Sequence, residues 1–233
     1  MLELNHPIQA TPPFAVYYNE GKAYLEVEEV IDKIKLRIFL PPNLPRDFQI
    51  TIGKNASLNI PEALVLDDYL TSKDKEFIEI AQELGIHDYC LSYVESAEDI
   101  NALLALAPDA NIIAKIESVR GLRFVKTDYP ALKEKVRLMA ARGDLFIELD
   151  YPHEILNALK TIILADKNAI AASRLLQSII TETIPACADL CDLGFLLNLG
   201  YKSFLFGDEV CSEEQTLKSA IGILQAILAD YHQ

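Results

Sequence analysis

Two short runs constrain what this chain can fold into more than anything else in it: Ile112-Ile113-Ala114-Lys115-Ile116-Glu117-Ser118 and Leu138-Met139-Ala140-Ala141-Arg142-Gly143-Asp144-Leu145. Each is a string of small or apolar residues ending in charge, the pattern of a buried parallel strand whose carboxyl end opens into a site. Lys115 and Glu117 are two residues apart, so on an extended chain their side chains point to the same side. In Arg142-Gly143-Asp144 the glycine lets the backbone turn closely and expose its N–H groups. Two carboxylates, Glu117 and Asp144, at adjacent strand ends suit a hard cation such as Mg2+, and the nearby Lys115 can balance a phosphate or an enolate.

Around these runs the chain changes texture once. Phe14 to Tyr18, Ala23 to Val30 and Lys33 to Phe39 alternate apolar and polar residues, with Asn19-Glu20-Gly21 as a turn signal. After Pro41-Pro42 and Pro45, Phe48 to Ile52 reads as one more short strand, so residues 1–61 are expected to form an antiparallel β region. From Leu70 the rhythm becomes strand then helix. A helix is expected from an N-cap at Ser72 through Leu84. Strands are expected at His87 to Tyr93, Asn111 to Ile116, Val136 to Ala141, Asn168 to Ala172 and Lys202 to Phe206. Between and after them the pattern predicts helices at Ala97 to Leu106, Val119 to Lys126, Pro130 to Lys135, His153 to Leu164, Arg174 to Thr181, Pro185 to Leu199 and Glu213 to Tyr231. Alternation of this kind predicts an α/β domain over residues 62–233, with a parallel sheet built of βαβ units.

Charge and composition remove other classes. A formal charge of −14 and a pI near 4.7 exclude nucleic acid as the main partner, which would call for a basic footprint. No apolar run approaches the roughly 18 residues of a membrane span, and no basic-then-apolar leader opens the chain. The expectation is a cytoplasmic protein with no membrane partner. Cys90, Cys187, Cys191 and Cys211 are expected to be buried thiols rather than disulfides.

The same residues carry a resemblance. Ala114-Lys115-Ile116-Glu117-Ser118 and Met139-Ala140-Ala141-Arg142-Gly143-Asp144-Leu145 resemble the catalytic strands of pyruvate kinase. Leu70-Thr71-Ser72-Lys73-Asp74 resembles the segment entering that family's fourth barrel unit. Leu91-Ser92-Tyr93-Val94-Glu95-Ser96 resembles the strand-to-helix turn that places a serine near the metal. Ala171-Ala172-Ser173-Arg174-Leu175-Leu176-Gln177-Ser178 resembles the family's Ala-Thr-Gln-Met-Leu-Glu-Ser run, and Phe206-Gly207-Asp208-Glu209 its Ser-Gly-Glu.

The resemblance implies a partial pyruvate-kinase-like (β/α) TIM barrel behind an amino-terminal β region, the latter a remnant of the small domain the family inserts over its active site. It implies Mg2+ or Mn2+ on Glu117 and Asp144. Pyruvate, another small 2-oxo acid or phosphoenolpyruvate would be held by Ser92, Arg142, Gly143, Asp144 and Ser173, with Lys115 and Ser173 as catalytic residues. Lys115 would offset charge on the transferring phosphoryl group or the enolate, and Ser173 would stand near the methylene carbon. The family's first three barrel strands, its Asn-Phe-Ser-His and Asp-Thr-Lys-Gly-Pro segments and its carboxy-terminal domain have no counterpart here. Those segments supply potassium ligands and nucleotide contacts, which puts K+ and ADP or ATP in question. Three functions therefore stay open: a pyruvate-kinase-like phosphotransferase with impaired transfer, a metal-dependent 2-oxo acid lyase or decarboxylase, and a non-catalytic binding subunit. A five-stranded sheet cannot close a barrel of eight, so a homodimer or other oligomer is also expected.

Overall fold

Alternation in the first part and buried apolar runs in the second each produce the sheet type they favour. The computed structural model describes residues 1–4, 7–18, 21, 23–42, 44, 48, 58–60, 65, 66 and 68–231, and the chain divides into two compact units. One comprises residues 1–87 with 101–110, the other residues 88–100 with those from 111 on.

The first unit contains β1 (Leu2–Glu3), β2 (Ile8–Gln9), β3 (Phe14–Tyr18), β4 (Ala23–Ile31), β5 (Lys35–Phe39), β6 (Leu58–Asn59) and β7 (Val65–Leu66). Five of these form an antiparallel sheet in the order β1-β5-β4-β3-β6, and β2 pairs with β7. On β4 the side chains of Ala23, Leu25 and Val27 are buried while Tyr24 and Glu26 face solvent, the period of two that a one-sided sheet requires. Phe14, Val16, Tyr18, Leu36 and Ile8 complete that core. β5 begins later than the alternation predicts because Asp32 and Lys33 take left-handed backbone (φ 51° and 63°) to make the turn. The expected turn residues Asn19 and Glu20, and residues 49–52 of the expected last strand, lie outside the described residues. Helix α1 (Ser72–Glu83) is capped by Thr71 rather than Ser72. The Thr71 hydroxyl accepts from the Asp74 N–H (3.0 Å) and the Asp74 carboxylate accepts from the Thr71 N–H (2.8 Å), a reciprocal box that fixes the start.

The second unit is built on five parallel strands: β8 (Asp88–Leu91), β9 (Asn111–Ile116), β10 (Val136–Ala141), β11 (Ile170–Ala172) and β12 (Ser203–Leu205), adjacent in chain order. Its helices are α3 (Val119–Thr127), α4 (Arg142–Glu148), α5 (Ile155–Ala165), α6 (Cys187–Leu199), α7 (Asp208–Cys211) and α8 (Glu214–Tyr231), while α2 (Ala97–Leu106) starts here and belongs to the first unit from residue 101 on. Parallel pairing in chain order with intervening helices makes this a partial (β/α) barrel. Register places Lys115, Met139, Ile170 and Ser203 in one cross-strand row. Met139, Ile170, Ala172 and Ile113 cluster on that side, and the alternate positions Ala114, Ile116, Leu138 and Ala140 are wholly buried. Asp166 ties the end of α5 to β10 and to the turn before β11: its carboxylate accepts from the buried Leu138 N–H and from the Asn168 N–H, each at 2.8 Å. Tyr201 donates to the Leu159 carbonyl at 2.9 Å, and burial pushes its phenol above the ordinary value.

Further expectations change. Arg174 to Thr181 is not a helix: Ser173, Arg174 and Leu176 are left-handed (φ 64°, 53° and 52°), which a right-handed helix cannot contain, and only a 3-10 turn follows at Gln177–Ile180. Pro130 to Lys135 shrinks to a 3-10 turn at Tyr129–Ala131. α4 starts at Arg142, so the turn expected to expose N–H groups at Gly143 is the first turn of a helix. All four cysteines are exposed and free. Cys187 and Cys191 precede the stretch of α6 that is buried (Leu193, Gly194, Leu196), and their sulfurs lie 3.9 Å apart. Among the described residues no helix is long and apolar enough to cross a membrane.

Candidate functional site

β9 delivers Lys115 and, one residue past its end, Glu117. The Lys115 Nζ lies 2.8 Å from Glu117 Oε1 and donates to the Ser92 hydroxyl at 2.9 Å. Glu117 is 1% exposed, and its second oxygen accepts from the Tyr93 N–H at 2.6 Å. That contact depends on the segment after β8 turning sharply, since Tyr93 is left-handed (φ 52°). The turn is held in place by Val94 N–H to the Lys115 carbonyl (3.2 Å) and by Glu95, which accepts from the Ser118 hydroxyl and pairs with Arg120 at 2.9 Å. Ser118 in turn caps α3 by accepting from the Gly121 N–H.

Burial raises the Glu117 carboxyl above the ordinary carboxylate value. The Lys115 charge and the Tyr93 N–H lower it only in part, and the Asp144 charge raises it again. Glu117 and Asp144 are thus close enough to repel. Asp144 is the third residue of α4, which follows β10 without a linker.

β10 and β11 end in a second, connected cluster. Arg142 is 5% exposed. Its Nη2 and Nε donate to the Ser173 carbonyl at 2.6 and 3.1 Å, and its Nη1 takes both oxygens of Asp192 on α6 at 2.7 and 2.8 Å. Arg174 reaches back to the Gly143 carbonyl at 3.3 Å and lies over the Phe146 ring, 4.8 Å from its centre. So Ser92, Lys115 and Glu117 come together directly, with Asp144 within electrostatic reach. Arg142 joins Ser173 through its backbone, and Gly143 is buried between the two groups in sequence.

Among the described residues no three or more His, Cys, Asp or Glu side chains form a closed metal cage. The donor set is two carboxylates, one of them buried with its charged form disfavoured. A divalent cation would reverse that penalty. Mg2+ characteristically binds through one or two carboxylates and completes its shell with water and substrate oxygens, so the residues present fit it.

Several participants were not legible in sequence. Tyr93 acts through its backbone, Glu95 through a neighbour, and Asp192 and Arg174 only because α6 and the turn after β11 fold back. The one signal for the α6 pair is Asp189 and Asp192, spaced i, i+3 on one helix face.

An incomplete (β/α) barrel with a lysine and two carboxylates at the carboxyl ends of neighbouring strands defines the class. The family description "Pyruvate kinase, barrel domain" matches residues 8–209, and the chain belongs to that family. It is 27% identical over 223 residues to a pyruvate kinase of Agrobacterium vitis, covering 94% of this chain and 44% of the relative. It is 30% identical over 190 residues to pyruvate kinase 1 of Saccharomyces cerevisiae, covering 77% and 35%. To the pyruvate kinase of Mycoplasma genitalium it is 29% identical over 185 residues, covering 76% and 36%. The chain therefore spans less than half the length of these curated relatives.

Proposed function

We propose that this chain binds Mg2+ or Mn2+ together with pyruvate or phosphoenolpyruvate, in the manner of pyruvate kinase, with weakened phosphoryl transfer between phosphoenolpyruvate and ADP. The observation that carries the reading is the grouping of Lys115, buried Glu117 and Asp144, within a chain that belongs to the family. Glu117 and Asp144 would hold the ion. Bound there, it would supply Lewis-acid stabilisation of charge on oxo and phosphoryl oxygens. Lys115, already oriented by Glu117 and Ser92, offsets negative charge on the phosphoryl group or the enolate. Ser173 stands toward the methylene carbon, and Ser92, Arg142 and Gly143 shape the surroundings of the substrate carboxylate. Catalysis of this kind is positioning plus electrostatics.

Transfer by residues 1–233 taken alone is expected to be weak, because the segments that the resemblance assigns to K+ and nucleotide are not among them. Losing several charge-assisted phosphate contacts, each worth about 1.5–3 kcal/mol, costs orders of magnitude in rate. Residues 1–61 are proposed to descend from the small β domain, and the setting to be cytoplasmic. Titration calorimetry with Mn2+ and oxalate, a stable planar dianion resembling the enolate, tests the site. Asp144→Ala should abolish metal-dependent oxalate binding with the fold intact, and equal binding in the variant would overturn the assignment. A coupled assay with phosphoenolpyruvate and ADP tests the rate: turnover near ~10 s⁻¹, ordinary for an enzyme, would refute weak transfer.

A further inference from the structure

Ser173 and Arg174 are consecutive non-glycine residues in left-handed backbone, at φ 64° and 53°, with Leu176 a third at 52°. Such residues persist only where the surroundings over-determine them. The strongest determinant at this point is Arg142. Two N–H groups along one edge of its guanidinium converge on the Ser173 carbonyl, at 2.6 Å from Nη2 and 3.1 Å from Nε, with Nε also 3.4 Å from the Ala172 carbonyl. Its remaining nitrogen is held by both carboxylate oxygens of Asp192, at 2.7 and 2.8 Å. Arg142 is buried, so without Asp192 its charge would be uncompensated and its fork free to rotate off Ser173.

We infer that Asp192 is a positioning residue for the site, acting through the Arg142 guanidinium to fix the left-handed backbone of Ser173. This rests on the reading of Ser173 and Asp144 as site residues. The bracing runs both ways between strand ends. Arg142, at the end of β10, grips the Ser173 carbonyl after β11, and Arg174, after β11, grips the Gly143 carbonyl after β10. Helix α6 holds the far end of the same segment as well. Asp189, one turn before Asp192, accepts from the Ser178 N–H at 2.9 Å and from its hydroxyl at 2.6 Å. One face of one helix therefore anchors residues 173–178 at both ends, through Arg142 at Ser173 and directly at Ser178.

The test uses the full chain. Hydrogen exchange reads the bracing without any ligand. Asp192→Asn should speed exchange at the Ser173 N–H, which donates to the Leu205 carbonyl at 3.1 Å. The expected change is about tenfold or more, while amides of β10 stay unchanged. The site is read by Mn2+ and oxalate affinities. Asp192→Asn should leave Mn2+ binding within about threefold and weaken oxalate binding to the Mn2+-loaded chain about tenfold to a hundredfold. Ser173→Gly adopts the left-handed conformation without strain, so Asp192→Asn should lower the urea midpoint less in that background than in the wild type, a coupling that a general loss of stability would not produce. If Asp192→Asn does not fold, Arg142→Lys, which keeps the charge but not the fork, is read by the same exchange measurement and should show the same loss at Ser173. Unchanged exchange at Ser173 overturns the inference, as does an equal fall in urea midpoint on Asp192→Asn with and without Ser173→Gly. A wild-type chain that binds neither Mn2+ nor oxalate overturns the reading of the site, and Ser173 exchange still decides whether Asp192 braces the turn.

Discussion

Glu117 sits almost wholly out of water, and Lys115 and the Tyr93 N–H offset only part of the burial and the Asp144 charge. Its carboxyl is raised in the folded chain above the unfolded value of about 4.3. Between the two values the folded chain holds a proton that the unfolded chain has released. Stability from this group is therefore fully present at and below the unfolded value and falls as pH rises through the raised one. In metal-free buffer Glu117→Gln should gain on the wild type as pH rises from about 4 to 7, read as urea midpoints. Saturating Mg2+ should stabilise only the wild type and narrow the gap. A gap that stays flat with pH would show that Glu117 does not carry this cost. Lys115→Met removes the partner instead, leaving a buried carboxylate uncompensated. It should cost about 3–5 kcal/mol, partly recovered by Mg2+. Lys115, Glu117 and Asp144 were legible because charge at the end of an apolar strand is a rare pattern with few structural uses. Tyr93 was not, because its contribution is a backbone N–H, to which its side chain gives no clue. Asp192 was not, because an acid on a helix face looks solvated until Arg142 is seen beside it.

Elements with an unbroken period form where that period lies: β9 and β10 run over the residues expected, as does α2. Errors fell where a residue's usual habit was overridden by tertiary contacts. The Arg174–Thr181 stretch has helical composition and is bent left-handed by the Arg142 grip on Ser173. Gly121 in α3 gives a prediction at this scale. A glycine in a helix is ordinarily improved by alanine, by about 0.5–1 kcal/mol. Here a Cβ would stand 2.9 Å from the Val94 carbonyl oxygen and 3.3 Å from Ile116 Cγ2. Overpacking typically costs about 1–3 kcal/mol, and the first contact is backbone that cannot rotate away. Gly121→Ala should therefore destabilise, and it should also disturb the turn bearing Ser92 and Tyr93. A higher urea midpoint would show that α3 can shift freely. Asp166→Ala tests the link between α5 and the sheet. It strands the buried Leu138 N–H and removes a charge-assisted bond, each worth about 1.5–3 kcal/mol, so a loss near the upper end is expected in denaturant unfolding.

At the scale of the whole molecule, sequence pattern predicted five parallel strands in chain order but could not say how the two edges of such a sheet are finished. Pattern reports which face of a strand is apolar, whereas edge pairing is a matter of what lies beside it. The parallel sheet ends at β8 and β12, each paired on one side among the described residues. Closing a barrel of this type takes eight strands, and an unfinished edge presents backbone donors and acceptors ready to pair. Beside these edges, Leu205 of β12 is 45% exposed and Cys90 of β8 is exposed. Among the described residues, the cluster of Met139, Ile170 and Ala172 has one further partly buried partner, Ile113. We therefore expect the 233-residue chain to associate, most simply as a homodimer that covers sheet edge. With a net charge of −14 per chain, such a contact has to be apolar at its centre, since like charges facing each other would repel. Added salt should then strengthen the dimer by screening the residual repulsion between acidic rims, the opposite of what a salt-bridged interface would show. Light scattering after gel filtration decides it. A mass near twice 26.0 kDa at micromolar concentration, rising toward completeness with salt, is the expected result, and a mass near 26.0 kDa under all these conditions would rule out a stable dimer. Leu205→Lys places a charge at the β12 edge, where edge strands commonly carry one to block pairing, and should shift the equilibrium toward monomer without altering the thermal unfolding of the second unit.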